Sequence, residues 1–273
     1  MKLEAVIICV NYSDFLAHTL PQNKQFFDKL VVVTDTKDTK TKQLCDYYNV
    51  FCIQTDVFYN GGSPFNKGMG INEGLKCLDK DGWVLHIDAD IYLPPLTREI
   101  LEKINLNPIC LYGIDRMMCP TYEEWIKFKE NPTPTHTAHV FVHPTIFPMG
   151  VRICDYTTNQ GYHPIGYFQL WNPKGSGIFN YPIEHGRADR TDVLFSKNWT
   201  RENRVLIPEL ICIHLESEDL NLKEMGKNWS GRKTTIFSKN AEPIIIKTKP
   251  IRGYKSDMFR HLCILIGRIF DKK

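Results

Sequence analysis

Asp88 and Asp90 stand one residue apart at the end of the apolar run Trp83-Val84-Leu85-His86-Ile87, and Pro94-Pro95 interrupts regular structure soon after. A strand places residues i and i+2 on one face, so continued extension would bring both carboxylates to one spot. Two close carboxylates repel unless a cation or a proton lies between them. A divalent ion held by carboxylate oxygens, waters and phosphates is the common remedy. A bare D-x-D also arises where two solvated acids end a strand. Two carboxylates do not fill an octahedral shell, and a neutral imidazole is a suitable third ligand. His214, closing the run Leu210-Ile211-Cys212-Ile213, is the best placed of the nine histidines. His136, His139 and His143 have i, i+3, i+7 spacing, but neighbouring prolines bar a continuous helix and weaken a zinc reading there.

Other residues suit phosphate, nucleoside and proton chemistry. The stretch Gly61-Gly62-Ser63-Pro64-Phe65-Asn66-Lys67-Gly68-Met69-Gly70 feeds a helix, whose first N–H groups favour anions, and Lys67 adds a positive charge. It matches neither G-x-x-x-x-G-K-[ST] nor G-x-G-x-x-G, and a plain Gly-rich turn is the competing reading. Asp35 ends the run Val31-Val32-Val33-Thr34, where a carboxylate can take a ribose or base edge, or close an Asx turn. Asp189 and Asp192 flank a helix start after Gly186-Arg187. Asp189 or Thr191 would cap that helix, and either aspartate is placed to act as a general base. Lys227-Asn228-Trp229-Ser230-Gly231-Arg232-Lys233 combines an indole with three cations, suited to phosphate or a sugar ring or simply to a basic surface turn.

The elements that must position these residues alternate through the first hundred. Strands are expected over 5–10, 30–34, 50–55 and 83–87, with helices over 14–27, 40–48 and 66–78. Such alternation implies right-handed βαβ units, a mostly parallel sheet with helices on both faces, and a ligand site beyond the strands' carboxyl ends. Asn11, Tyr12, Asp35, Asp56, Asp88 and Asp90 all fall there. Beyond Pro95 the pattern loosens: helices over 97–104, 122–129 and 191–198, strands over 108–112, 166–171 and 206–214, and a long functional loop over 172–190. Residues 256–270 form an amphipathic helix, suited to packing on the body, to a partner helix or to a membrane interface.

The 273-residue chain suits one α/β domain with an appendage. With 42% hydrophobic and 24% charged residues, wholesale disorder is excluded, and a net charge of +3 argues against a generally cationic surface. Nine scattered cysteines without a C-x-x-C pair fit a reducing cytosol. No apolar run approaches the ~18 residues of a membrane span, and Met1-Lys2-Leu3-Glu4 leads into a strand rather than a leader.

The order of these features resembles the GT-A glycosyltransferases, particularly the family 2-like enzymes with many bacterial and phage members. The resemblance rests on the opening strand through Val10 with Asn11-Tyr12, on Asn66-Lys67-Gly68 with Asn72, on His86-Ile87-Asp88-Ala89-Asp90, and on His214. Gly166-Tyr167-Phe168-Gln169-Leu170-Trp171 and Asn228-Trp229-Ser230-Gly231-Arg232 extend it, over roughly residues 4–235. It implies a single GT-A (Rossmann-like) domain over 1–235, with a nucleotide-sugar half at 1–95 and an irregular acceptor-side half at 96–235. A basic extension carrying the amphipathic helix would occupy 236–273. It further implies that Val10, Asn11 and Asp35 hold the nucleoside and Lys67 the diphosphate. Asp88 would touch ribose or metal, and Asp90 and His214 would ligate Mn2+ or Mg2+. Tyr12, Asn72, Ala89, Trp171 and Arg232 join the nucleotide-sugar site. The family's base lies in an x-E-D motif at the start of a helix; Asp192 in Thr191-Asp192-Val193-Leu194-Phe195 is taken as its match, with Asp189 second.

The expected activity is metal-dependent transfer of a sugar from a nucleoside-diphosphate donor, UDP-linked by analogy, to a hydroxyl, with inversion. The acceptor is left open between a glycan, a lipid-linked precursor at the inner membrane face and a hydroxymethylated DNA base reached through the basic 223–260 region. A nucleotidyltransferase and a non-catalytic sugar-nucleotide or glycan-binding module are the rival readings.

Overall fold

The computed structural model describes residues 1–63, 65–119, 122–130, 163–183 and 188–215. Its elements run β1 (Leu3–Ile8), α1 (Ser13–Asn23), β2 (Lys29–Asp35), α2 (Thr39–Tyr47), β3 (Phe51–Thr55), α3 (Lys67–Lys76), β4 (Trp83–Asp88), β5 (Ile91–Tyr92), α4 (Thr97–Lys103), β6 (Leu111–Cys119), α5 (Tyr122–Glu130), β7 (Phe168–Trp171), α6 (Pro173–Ser176), α7 (Ala188–Ser196) and β8 (Arg204–Leu215). One eight-stranded sheet has the order β3-β2-β1-β4-β7-β6-β8-β5. The first four strands are parallel, as the alternating pattern requires. From β4 onward the sheet is mixed: β7 is antiparallel to both β4 and β6, β6 runs parallel to β8, and β5 is antiparallel to β8.

Alternation along β1 shows why both faces need helices. Leu3, Ala5 and Ile7 enter a core that includes Leu16 and Leu20 of α1 and Leu101 of α4. Val6 and Ile8 enter a second core with Ile71 and Leu75 of α3 and Phe195 of α7. A strand buried on both sides reads as a continuous apolar run. Helix α3 lies close on the sheet because Gly74 has no side chain; a Cβ there would meet Val6 Cγ1 at 2.5 Å. Asn66 caps α3, its Oδ1 accepting from Met69 N–H at 3.0 Å.

Several boundaries differ from expectation in the carboxyl half. Strand β6 continues to Cys119, past Gly113 and the charged Asp115-Arg116, because pairing with β8 carries it on after the apolar pattern ends. Helix α7 begins at Ala188, so Thr191 is buried inside it rather than capping it. The 172–190 stretch is not one loop: α6 interrupts it, capped by Asn172 and closed by Gly177 at φ 73°. The basic 223–260 region, the 256–270 helix and the 136–143 histidines lie outside the described residues. Among the described residues no helix is long and apolar enough to cross a membrane, and seven cysteines are free thiols.

Candidate active site

Strand β4 ends at Asp88, and Ala89 and Asp90 form a turn rather than two more extended residues. The i, i+2 rule therefore lapses, and the two carboxylates, still close enough to repel each other, take different partners. Asp88 Oδ1 accepts from Lys67 Nζ at 2.6 Å, across the start of α3. Asp90 turns the other way, its Oδ2 lying 3.3 Å from His214 Nε2. The backbone explains that meeting. Ile91, the next residue, pairs with His214 in the β5–β8 ladder, and Leu215 N–H donates to Asp90 O at 2.8 Å.

His214 reaches this position through a bulge. Between Ile114 and Asp115 the β6–β8 register jumps, pairing Ile114 with Ile207 and Asp115 with Ile211. Pro208, which has no N–H for a ladder, sits in the extra stretch of β8.

No group of three potential metal ligands converges among the described residues. The expected trio of Asp88, Asp90 and His214 is thus reduced to a pair, because the turn after β4 sends Asp88 to Lys67. The pair fits a divalent cation. Asp90 Oδ1 is buried without a hydrogen-bond partner, an arrangement that costs free energy unless something positive meets it. Carboxylate oxygen and imidazole nitrogen suit Mn2+ or Mg2+, with phosphate oxygens and waters completing the shell. Burial disfavours charge on Asp90, but His214 outweighs it and holds the carboxyl below its ordinary range. Asp88 is shifted the other way: burial raises it, only partly offset by Lys67. Lys67 is opposed by burial too, yet Asp88, Asp192 and Asp90 around it keep the ammonium above its usual range.

Asp192, in the second turn of α7, completes the cluster. Its Oδ2 accepts from Gly166 N–H at 2.6 Å and its Oδ1 from Val193 N–H at 2.8 Å. A Cβ on Gly166 would stand 3.0 Å from both Asp192 Oδ2 and Lys67 Nζ, so the missing side chain lets carboxylate and ammonium face one point. Burial pushes the Asp192 carboxyl up to about 6, against the opposing pull of Lys67 and the two N–H groups. That is the range a general base near neutral pH needs. Asp189 occupies the first turn of the same helix.

The helix is fixed from below by Gln169 on β7. Gln169 Nε2 donates to Pro164 O at 2.7 Å, Asp192 O at 3.0 Å and Ser196 Oγ at 3.1 Å, while Tyr181 O–H donates to its Oε1. Phe195 adds a stacked ring on Tyr181, with centroids 3.8 Å apart.

At the carboxyl end of β1, Asn11 turns the chain with φ 59°, a conformation asparagine tolerates better than most residues. Asn11 N–H donates to Asp38 Oδ2 at 2.7 Å, and Thr34 and Thr41 hydroxyls donate to the same oxygen. Asp38, which the sequence pattern does not single out, is therefore the buried acid that shapes this loop. Asp35 makes the Asx turn, its Oδ1 accepting from Lys37 N–H at 2.9 Å. Val10 packs partly buried on the core beside it, and Tyr12 stacks on Phe15.

Three further residues expected at the donor site make structural contacts. Asn72 spends both ends of its amide on Tyr181, donating to its O at 3.0 Å and accepting from its N–H at 2.8 Å. Trp171 is fully buried, its indole N–H donating to Ile178 O at 3.0 Å. Ala89 is buried, and its carbonyl accepts from Thr19 Oγ1. Arg232 lies outside the described residues.

No protein-family model matches the chain, and no curated protein sequence does. Solved structures do. Glucosyl-3-phosphoglycerate synthase from Mycobacterium tuberculosis, in complex with Mn2+, UDP-glucose and glycerol 3-phosphate, superposes with a TM-score of 0.50. The match has 11% identity and covers 82% of this chain and 75% of that one. This chain has the GT-A fold. A mycobacterial protein gives a TM-score of 0.48 at 12% identity, over 82% of this chain and 70% of that one. Mannosyl-3-phosphoglycerate synthase from Rubrobacter xylanophilus gives 0.35 at 17% identity, over 42% of this chain; the match spans 40% of that chain's length. Within the GT-A fold, β1 to β4 form the parallel half; Asp88 ends β4, and Asp90 and His214 meet beside the β5–β8 pair of the mixed half.

Proposed function

We propose that the chain is a metal-dependent glycosyltransferase that moves a sugar from a UDP-sugar to a hydroxyl acceptor with inversion. The observation that carries this reading is a carboxylate raised to about 6 and facing the same point as Lys67, next to the Asp90–His214 pair. A nucleophile's base on one side and cationic groups for a leaving diphosphate on the other are what displacement at an anomeric carbon needs. Asp192 takes the proton of the acceptor hydroxyl as its oxygen bonds to the anomeric carbon. The bond from that carbon to the diphosphate oxygen breaks, and the electron pair leaves with the diphosphate. Lys67 stabilises the charge that develops there, and Asp90 and His214 would hold a divalent ion beside it. That ion supplies Lewis-acid stabilisation of the leaving group. Attack opposite the leaving group inverts the centre. Asn11, the Asp38-braced loop and Asp35 bound the place for the nucleoside.

UDP-, GDP- and CMP-sugars offered with Mn2+, scored for donor hydrolysis and for thermal stabilisation, test this directly. UDP-sugars should stabilise the protein only with metal. Indifference to every sugar nucleotide, together with pyrophosphate release from a nucleoside triphosphate, would replace the reading with a nucleotidyltransferase.

A further inference from the structure

Helix α2 and strand β3 bring two thiols together at the edge of the sheet, away from the site described above. Helix α2 closes with Val50 N–H donating to Cys45 O at 2.8 Å and Asn49 N–H to Asp46 O at 3.1 Å, and Asn49 takes φ 54°. This paired closure around a left-handed residue is the Schellman motif, and it turns the chain back on itself within a few residues. Cys52, the second residue of β3, thereby reaches Cys45 in the last turn of α2, and the two thiols hydrogen-bond each other. Cys45 is fully buried in the core, whereas Cys52 is half-buried on the edge strand and packs on the same core.

The two sulfurs differ because their surroundings differ. Cys52 accepts the hydrogen bond of Cys45, which together with the Lys42 ammonium holds it below the ordinary thiol range in spite of its burial. Cys45 keeps its proton, since donating to Cys52 and lying out of water both push it up. A thiolate with access to solvent, beside a protonated second thiol, can be oxidised and then resolved by its neighbour. Cys9 lies in the same core, but its Sγ is engaged with Thr41 Oγ1 at 3.3 Å and burial pushes its thiol up. It is no rival nucleophile.

We infer that Cys45 and Cys52 are a modification site, a dithiol that peroxide converts reversibly to a disulfide joining α2 to β3. The Cys52 thiolate attacks one oxygen of hydrogen peroxide. The S–O bond forms, the O–O bond breaks and hydroxide leaves, giving a sulfenic acid. Cys45 then loses its proton and attacks the Cys52 sulfur; the S–S bond forms, the S–O bond breaks and a second hydroxide leaves. The protons given up by the two thiols convert both hydroxides to water, and the sulfurs together lose two electrons to the peroxide. A dithiol reductant reverses the bond by exchange. None of the residues that the proposed sugar transfer needs takes part, so the site stands or falls independently of that reading.

The test exposes the reduced full chain to hydrogen peroxide, alkylates the remaining thiols with iodoacetamide and maps the peptides by mass spectrometry. A Cys45–Cys52 bond should be the main product and should vanish on treatment with dithiothreitol. Cys52 should be consumed roughly tenfold or more faster than Cys77, another half-buried thiol, whose surrounding core holds no second described cysteine. Cys45→Ala, or Cys45→Ser should the first fail to fold, should leave Cys52 as a sulfenic acid that dimedone labels. A bond from Cys45 to Cys9 or to any other partner overturns the inference. So does a Cys52 that runs on to sulfinic acid while Cys45 stays open to alkylation, and so does a Cys52 consumed no faster than Cys77.

Discussion

Three aspartates in one cluster are shifted in two opposite directions, Asp90 down and Asp88 and Asp192 up, and each shift follows from its surroundings. Asp90 faces His214 and stays ionised, Asp88 is buried against Lys67, and Asp192 has only two backbone N–H groups and a neighbouring ammonium to offset its burial. A base works only when deprotonated, so the raised carboxyl sets an acid limb. The pH profile of kcat/KM should fall as pH drops through about 6, following protonation of Asp192. Asp192→Asn should lower kcat about a hundred- to ten-thousandfold with little change in donor KM, read by steady-state kinetics. Equal losses in kcat after Asp189→Asn alone would move the base one turn back along α7. Asp90→Ala and His214→Ala should each weaken Mn2+-dependent UDP binding by roughly tenfold or more, measured by calorimetry. Unchanged metal dependence in both would remove the pair from metal binding.

At the scale of elements, the site depends on two irregularities. The bulge in β8 and the two-residue β5 bring His214 to Asp90, and the network around Gln169 sets the height of α7 and so of Asp192. Gln169 Nε2 serves three acceptors, and its Oε1 takes the Tyr181 hydroxyl. Gln169→Leu would leave buried partners unmet, costing about 1–3 kcal/mol of stability. It should also lower kcat more than it raises donor KM, since the displaced group is Asp192, the proposed base, rather than Lys67. A Gln169→Leu enzyme that is destabilised in urea yet keeps wild-type kcat would reduce the network to scaffolding. The aromatic stack of Phe195 on Tyr181 and its edge contact with Trp171 add about 0.5–1.5 kcal/mol per pair to the same docking.

For the whole molecule, the decisive contact joins the parallel half to the mixed one beneath α7. Gly68 at the start of α3 lies so close to the 181–183 segment that a Cβ would stand 2.1 Å from Pro182 O. Asn72, one turn further, clasps the Tyr181 backbone from both sides. Lys67 sits between these two constraints and the site, so the joint also aims the cation. Gly68→Ala should cost about 1–3 kcal/mol of stability through overpacking against backbone, read from the urea midpoint. An unshifted midpoint would show that the halves give way there.

The first hundred residues could be read locally because continuous apolar runs alternate with helical segments, and both signals need only near neighbours. The strands and helices from β1 to β4, the Asp88-Ala89-Asp90 motif at a strand end, Lys67 at a helix entry and His214 at a strand end are legible in this way, whereas the turn at Ala89-Asp90 is not. What the chain could not show locally is which polar groups meet. Asp88 and Asp90 look equivalent in sequence, and only the turn after β4 divides them between Lys67 and His214. Arg116 breaks no pattern and belongs to no motif; its pairing with His214 joins residues about a hundred positions apart, through a register jump set by strand packing. Asn72 clasps the Tyr181 backbone and Trp171 is buried in the core, contacts that residue type alone does not announce. Local periodicity encodes elements, because backbone geometry repeats. The assignment of a side chain to chemistry or to packing depends on long-range contacts, which the folded chain alone supplies.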